Sequence, residues 1–317
     1  MSIRYEARRL GGQATTPWHY SRCQEPPLIF VAAFVAVFLL LWALFAAVLP
    51  MLLRGLHSVA KGGASLSMRY GVVQRIVKRT SGFRDYLPVA LIVLAGALAA
   101  GWAGDQFLDL AEMVHRNSDT LTAIDGNVHD WAVTRRNIGA TTFFATMSVV
   151  GGPGGVAAIA GITMIALLTA RRFRWSIYLA VNVGGGGLLD WELKRYFARA
   201  RPAMAEMLRH ASGYSFPSGH AMGSTVLFAT LSYLAIRILP RWRWKSAAIA
   251  LGTTFIVAVA LSRVYLGVHW ISDVGAGVVC ALLWVTMTTV AYETSRRIRL
   301  IRQLRLKSSM RDGTRGA

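Results

Sequence analysis

Acidic residues and cysteines are scarce in this chain. Of its 317 residues, 15 are Asp or Glu against 35 Lys or Arg, a net charge of +20, and only 16% of the chain is charged at all. The two cysteines lie far apart, Cys23 in the N-terminal segment and Cys280 inside an apolar stretch. That argues against a disulfide framework and against a cysteine-built metal site. Internal repeats and low-complexity linkers are lacking too, so the chain reads as one integral-membrane domain with an extra helix at its front. The first apolar run, Leu28 to Leu49, has no clear small-residue cleavage site and is too long for a signal-peptide core, so it reads as a retained transmembrane helix.

Apolar residues are plentiful, and they come in blocks. They make up 54% of the chain, gathered at about 28–50, 87–104, 153–170, 175–193, 220–238, 246–262 and 274–292. Soluble domains do not segregate their apolar residues in this way, and the expectation is an all-α, polytopic membrane helical bundle. Some blocks are shorter than the roughly 20 residues of an ideal span, which suits helices that end in a protein-lined polar pocket. Thr141–Val150, ahead of "GGPGG", reads either as an interfacial helix or as an extension of the third span. On a soluble chain the basic excess would point to nucleic acid. Here it lies mainly between apolar blocks, so topology and anionic membrane lipids account for it and no nucleic-acid partner is expected.

The basic residues also set an orientation. The segments 51–86, 171–174, 237–245 and the tail from 293 carry 22 Lys and Arg, whereas 105–140, 194–217 and 262–273 carry nine. The positive-inside rule places the first set and the C-terminus in the cytoplasm, with the second set outside. The N-terminal segment then lies outside despite its four arginines. Three regions follow: 1–86 with one helix and a basic loop, a membrane core over 87–292, and a basic, amphipathic cytoplasmic tail over 293–317. The loop 105–140 reads as an external segment, with His115, His129 and Asp130 solvated.

Three polar constellations fall on the same outer face. "KRYFARARP" leaves the fourth span, and its Lys194 and Arg201 are seven residues apart, able to share a face if the helix continues. "PSGH" opens the fifth span, where Pro217 suits a first helical turn and Ser218 and Gly219 leave backbone N–H groups exposed for an anion. "SRVYLGVHWISD" joins the last two spans. Its His269 and Asp273 are four apart, so the carboxylate can fix the imidazole tautomer and leave the other ring nitrogen available. Each alone has a plain explanation, as a basic flank, an ordinary helix start or a snorkelling arginine. Together they gather three cations, two histidines, an orienting carboxylate and a helix N-terminus, a set that suits phosphoryl transfer.

Lys194-x6-Arg201-Pro202, Pro217-Ser218-Gly219-His220 and Ser262-Arg263-x5-His269-x3-Asp273 resemble the three signature motifs of the type 2 phosphatidic acid phosphatase (PAP2) superfamily, which also contains the vanadium haloperoxidases. The resemblance covers roughly 87–292, six spans, and leaves the helix at 28–50 outside. It implies that His269 is the nucleophile and forms a phosphohistidine, held by Asp273, and that His220 is the general acid. It implies further that Lys194, Arg201, Arg263, Ser218 and Gly219 bind the phosphoryl oxygens of a lipid phosphate, with no metal and no other cofactor. Asp190, four residues before Lys194, is placed to pair with it. The glycines at 184–187 read as close helix packing, and Gly151–Gly155 as a break before a span. A lipid transporter or binding protein is the competing class, and a haloperoxidase is disfavoured by the multiple spans. The motifs are shared across the superfamily, so they do not rank undecaprenyl diphosphate, phosphatidic acid and other lipid phosphates. The oligomeric state is likewise open.

Overall fold

The computed structural model describes residues 27–67, 86–202, 207, 208 and 212–313, so Cys23 and the arginines of the N-terminal segment lie outside the described residues. Nine helices are described: α1 (Pro27–Ser67), α2 (Leu87–His115), α3 (Asp119–Thr134), α4 (Ile138–Val150), α5 (Pro153–Thr169), α6 (Phe173–Phe197), α7 (Gly219–Ile238), α8 (Trp242–Tyr265) and α9 (Ile271–Gly313). Among the described residues there is no strand. Every apolar block foreseen in the sequence lies within a helix, and the chain is an all-α membrane bundle.

Among the described residues, five helices are long and apolar enough to cross a membrane: Leu28–Val48, Leu87–His115, Gly219–Ile238, Trp242–Tyr265 and Ile271–Leu306. The pair α4 and α5 passes that test together, bent by 50° at the break. The bend is where Pro153 withdraws an amide donor from the helical ladder. Gly151 lies there against Val259, whose Cγ1 would be 2.3 Å from any Cβ added to the glycine. Of the seven expected spans, α6 does not qualify by composition although it has 25 residues. Asn182, Gly184 to Gly187, Asp190 and Glu192 dilute its apolar character, and the same residues carry its packing and its chemistry.

Inside the bundle, polar groups tie the helices together. Asn182 is fully buried; its amide donates to the Tyr178 carbonyl at 2.9 Å and accepts from Thr288 at 2.7 Å, while its backbone carbonyl accepts from the Trp284 indole at 3.1 Å. In an apolar medium such bonds between helices favour one arrangement over its neighbours. Gly185 lets that contact close: an added Cβ would stand 2.3 Å from Trp284 Cζ2, whereas at Gly184 it would meet nothing within 4 Å. The glycine run therefore packs helices, though not with every member. Gly185→Ala should destabilise the detergent-solubilised protein by about 1–3 kcal/mol through overpacking. Gly184→Ala should cost nothing, because alanine is the better helix former. Thermal unfolding of the two variants side by side checks this.

The helix α1 lies across α4 and α8 through aromatic contacts, Phe34 with Phe255 at 5.2 Å and Phe30 with Phe143 at 6.2 Å between ring centroids, and through Trp42, whose indole donates to the Arg243 carbonyl at 2.9 Å. At the other end of the chain α9 runs unbroken through residue 293 as far as Gly313. Its apolar part with the adjoining basic turns, Ile271–Leu306, has 36 residues, roughly 54 Å at 1.5 Å per residue and well beyond the roughly 30 Å of hydrocarbon. The basic C-terminal turns thus project past the apolar core as a continuation of the last span.

Candidate active site

Four helix termini meet at one end of the bundle: the C-terminus of α6, the N-terminus of α7, the C-terminus of α8 and the N-terminus of α9. Backbone contacts fix their approach. The Ser218 amide donates to the Asp273 carbonyl at 2.9 Å, joining the starts of α7 and α9. At Gly277, one turn into α9, an added Cβ would lie 2.7 Å from the Ser218 carbonyl oxygen. Lys194 Nζ donates to the Pro217 carbonyl at 2.6 Å, and Arg201 Nη1 to the Val268 carbonyl at 2.8 Å. The three motifs, scattered over some eighty positions of sequence, thereby enclose one space.

The local backbone differs from the simplest sequence reading at each motif. The helix α6 does not continue to Arg201; it stops at Phe197, and Ala198 takes the left-handed conformation at φ +44°. That turn carries Arg199 and Arg201 back over the site instead of along the helix axis. Pro217 is not in the first turn of α7, since the helix begins at Gly219 after a cis Phe216–Pro217 bond. His269 and Asp273 do not share a helix either, because α9 begins at Ile271. Asp273 instead reaches back to accept from the Trp270 amide at 3.0 Å, as a third-position acid does in a capping box.

The result is an oriented imidazole. His269 is 2% exposed, and its Nδ1 faces Asp273 Oδ2 at 3.5 Å, while its Nε2 lies 3.0 Å from Arg201 Nη1. A guanidinium can only donate, so Nε2 must carry the lone pair and Nδ1 the proton. This is the tautomer a nucleophilic histidine needs. Burial pushes the imidazole down to about 4, against the pull of Asp273, so it is neutral at physiological pH.

The cations are held in place by carboxylate, hydroxyl and carbonyl oxygens. Lys194 pairs with Asp190 at 2.5 Å, the pairing expected from their four-residue spacing. Arg263, 4% exposed, donates through Nη1 to the Ser148 hydroxyl on α4. Arg201 is clamped by the carbonyls of Gly213 at 3.0 Å, Ser212 at 3.2 Å and Tyr214 at 3.1 Å. His220, in the first turn of α7, lies within electrostatic reach of Arg263, His269, Lys194 and Arg201, so both histidines and all three cations share one neighbourhood. The Ser218 hydroxyl is fully buried and has no hydrogen-bond partner among the described residues. A buried hydroxyl with no partner at a helix N-terminus, beside Lys194, is a vacant donor for an anion. Among the described residues no three His, Cys, Asp or Glu side chains are grouped to hold a metal ion.

Gly219 marks the closest approach. A Cβ there would sit 2.7 Å from Asp190 Oδ2 and 3.1 Å from Lys194 Nζ. Gly219→Ala should therefore push the lysine off its position and lower kcat/KM by about 10- to 100-fold, the scale of a misplacement near 1 Å. Initial-rate kinetics on the purified variant test this.

The segment 105–140 is not solvated throughout, which corrects the reading of His129. It contains the end of α2 and the whole of α3, and α3 packs against the site. His129 is buried, 5.5 Å from the Trp270 ring between centroids, although Asp130 is exposed as expected. Asp125, 2% exposed, accepts from the Ser272 amide at 3.0 Å, the Ser272 hydroxyl at 2.6 Å and Arg199 Nη2 at 2.8 Å. Arg199, Asp125, Ser215 and Ser148 were not singled out by sequence reasoning. Only Arg199, inside the first motif, stood near a recognisable signal.

A family profile described as "PAP2 superfamily" matches residues 175–297. Phosphatidylglycerophosphatase B of Bacillus subtilis (strain 168) is 28% identical over 222 residues, spanning 68% of this chain and 98% of that protein. An undecaprenyl-diphosphatase of Sulfolobus acidocaldarius is 36% identical over 91 residues, 29% of this chain and 39% of that one. A crystal structure of a transmembrane PAP2 type phosphatidylglycerolphosphate phosphatase from Bacillus subtilis superposes with a TM-score of 0.57 at 26% identity, covering 61% of this chain and 96% of the other.

Proposed function

Because this chain belongs to the PAP2 superfamily and is one of its membrane phosphatases, we propose that it hydrolyses a lipid phosphate or diphosphate through a phosphohistidine formed on His269, at the outer face of the membrane. The observation that carries the reading is the contact between Arg201 Nη1 and His269 Nε2 at 3.0 Å. It puts the lone pair of the nucleophile beside a cation that an incoming phosphoryl oxygen can take over.

In this mechanism the phosphoryl group displaces the imidazole from Arg201 and takes the donors of Lys194, Arg201, Arg263, Ser218 and the Gly219 amide. His269 Nε2 attacks phosphorus, the bond to the leaving oxygen breaks, and His220 gives that oxygen a proton. Asp273 stabilises the charge that the imidazole acquires. In the second step His220 takes a proton from water, the hydroxide attacks phosphorus, and the P–N bond breaks to release inorganic phosphate and restore His269. The cations hold the equatorial oxygens throughout, the electrostatic part of phosphoryl transfer.

One feature supports an outward site. The site lies at the end of the bundle opposite the basic extension of α9, and a basic terminal helix belongs on the cytoplasmic side. An outward site suits undecaprenyl diphosphate and phosphatidic acid type lipids. The relative matched over nearly all its length adds phosphatidylglycerophosphate to the candidates. The test is phosphate release by the purified protein in detergent, without added metal, across a panel of lipid mono- and diphosphates. Turnover that vanadate blocks is expected, and binding without turnover of any member would favour a carrier instead.

The same geometry fixes a pH dependence. Attack needs neutral His269, whose pKa is lowered to about 4. The acid limb of kcat/KM that belongs to the nucleophile should therefore lie near pH 4, well below the ordinary imidazole range near 6.5. A pH–rate profile on a soluble short-chain lipid phosphate measures it.

A further inference from the structure

The orienting carboxylate is itself held by a chain of charges that the signature motifs do not include. Asp273 is completely buried and accepts from Arg199 Nη1 at 2.7 Å, from the Ser215 hydroxyl and from the Trp270 amide. The other arm of Arg199 grips Asp125 at 2.8 Å, and Ser272 is bound by both, donating to Asp125 at 2.6 Å and accepting from Arg199 at 2.7 Å. Asp125 sits on α3, outside the region matched by the family profile. We infer that Arg199, anchored by Asp125, is a positioning residue for hydrolysis: it sets the place and the effective charge of Asp273 and, through it, the readiness of His269.

A guanidinium forked between two carboxylates fixes both the distance and the plane of each. Without Arg199, one oxygen of Asp273 would lose its partner in a buried site, and the carboxylate would be drawn from its 3.5 Å approach to His269. The charge balance would change as well. The groups facing the Asp273–His269 pair are Lys194 with Asp190, Arg199 and Arg201 from α6 and the turn after it. His220 comes from α7, Arg263 from α8 and Asp125, through Arg199, from α3, where His129 lies against Trp270. Removing one cation from that set makes the pair take up a proton at higher pH. A residue that merely clasped α3 to α9 would lower stability and leave the pH profile where it was.

This inference rests on the reading of His269 as nucleophile. The experiment compares Arg199→Gln, Arg199→Lys, Asp125→Asn, the Arg199→Gln/Asp125→Asn double variant and an Asp130→Asn control on the exposed side of α3, each purified in detergent. Arg199→Gln should lower kcat about 10- to 100-fold with little change in KM, the scale for outer partners of an oriented imidazole. Its acid limb should rise by about one pH unit. Arg199→Lys should restore most of the limb but not the full rate, and the double variant should be no slower than Arg199→Gln, because both changes break one chain. Inhibition by vanadate at unchanged concentration verifies that each variant keeps its anion site. An unmoved pH profile in Arg199→Gln, or additive losses in the double variant, would overturn the inference. Retained turnover in His269→Ala would instead overturn the functional reading beneath it.

Discussion

Replacing His269 by Ala should leave no measurable turnover of either a lipid monophosphate or a lipid diphosphate, a loss on the order of 10⁴-fold or more. The expectation follows from where the imidazole stands. It is 2% exposed, backed by Asp273 at 3.5 Å and faced by Arg201 at 3.0 Å, which leaves its Nε2 lone pair beside the cations that would bind the phosphoryl group. Alanine leaves the cations in place, and the variant should still bind vanadate or inorganic phosphate. The distinguishing measurement is trapping with a labelled substrate, quenched in alkaline detergent: label on protein in the wild type, stable to base and lost with acid as a phosphohistidine is, and none in the variant. Full turnover by His269→Ala would sink the assignment. Asp273→Asn is the companion, because an amide can turn its NH2 to Nδ1 and stabilise the wrong tautomer with almost no change of shape. Its loss should be large while vanadate binding persists.

His220→Ala should slow the first phosphoryl transfer from a monoester by about 10²- to 10⁴-fold, the usual worth of general acid catalysis, and slow transfer from a lipid diphosphate far less. The difference lies in the departing group. A monoester releases an alkoxide, which must be protonated as it leaves, whereas a diphosphate releases a lipid phosphate that carries its charge readily. His220 stands in the first turn of α7, within 3.1 Å of where a side chain on Gly152 would begin, so little room exists for another acid to replace it. The second step, attack of water on the phosphohistidine, is common to both substrates and would hide the contrast in steady-state rates. Single-turnover release of the leaving group separates the steps. Equal losses on the two substrates would contradict the role.

How far the sequence reached differs from residue to residue. Asp190 and Lys194 could be paired from spacing alone, because both lie on one unbroken helix where i and i+4 are neighbours. Arg201 could be placed at the site but not aimed, since its direction depends on Ala198 adopting the left-handed turn, and alanine gives no local signal for that. From sequence His129 reads as a solvated loop residue, and Asp125 carries no signal of its own. The inward face of α3 sets Asp125 and His129 between Leu121 and Ala132, and only the docking of the helix reveals which polar side chains it buries.

The sequence by itself determined the all-helical membrane architecture, the lopsided charge and the three motifs with their reacting groups. Apolar length, basic flanks and residue chemistry are properties of each segment taken alone. The tertiary structure decided which side chains meet: that Arg201 caps His269, that Ser218 is left with an unused hydroxyl, and that Asp125 reaches Asp273 through Arg199. The contacts of Arg201 with His269 and of Arg199 with both carboxylates join positions 68 and 74 residues apart. They depend on the packing of four helix ends, which no local pattern encodes.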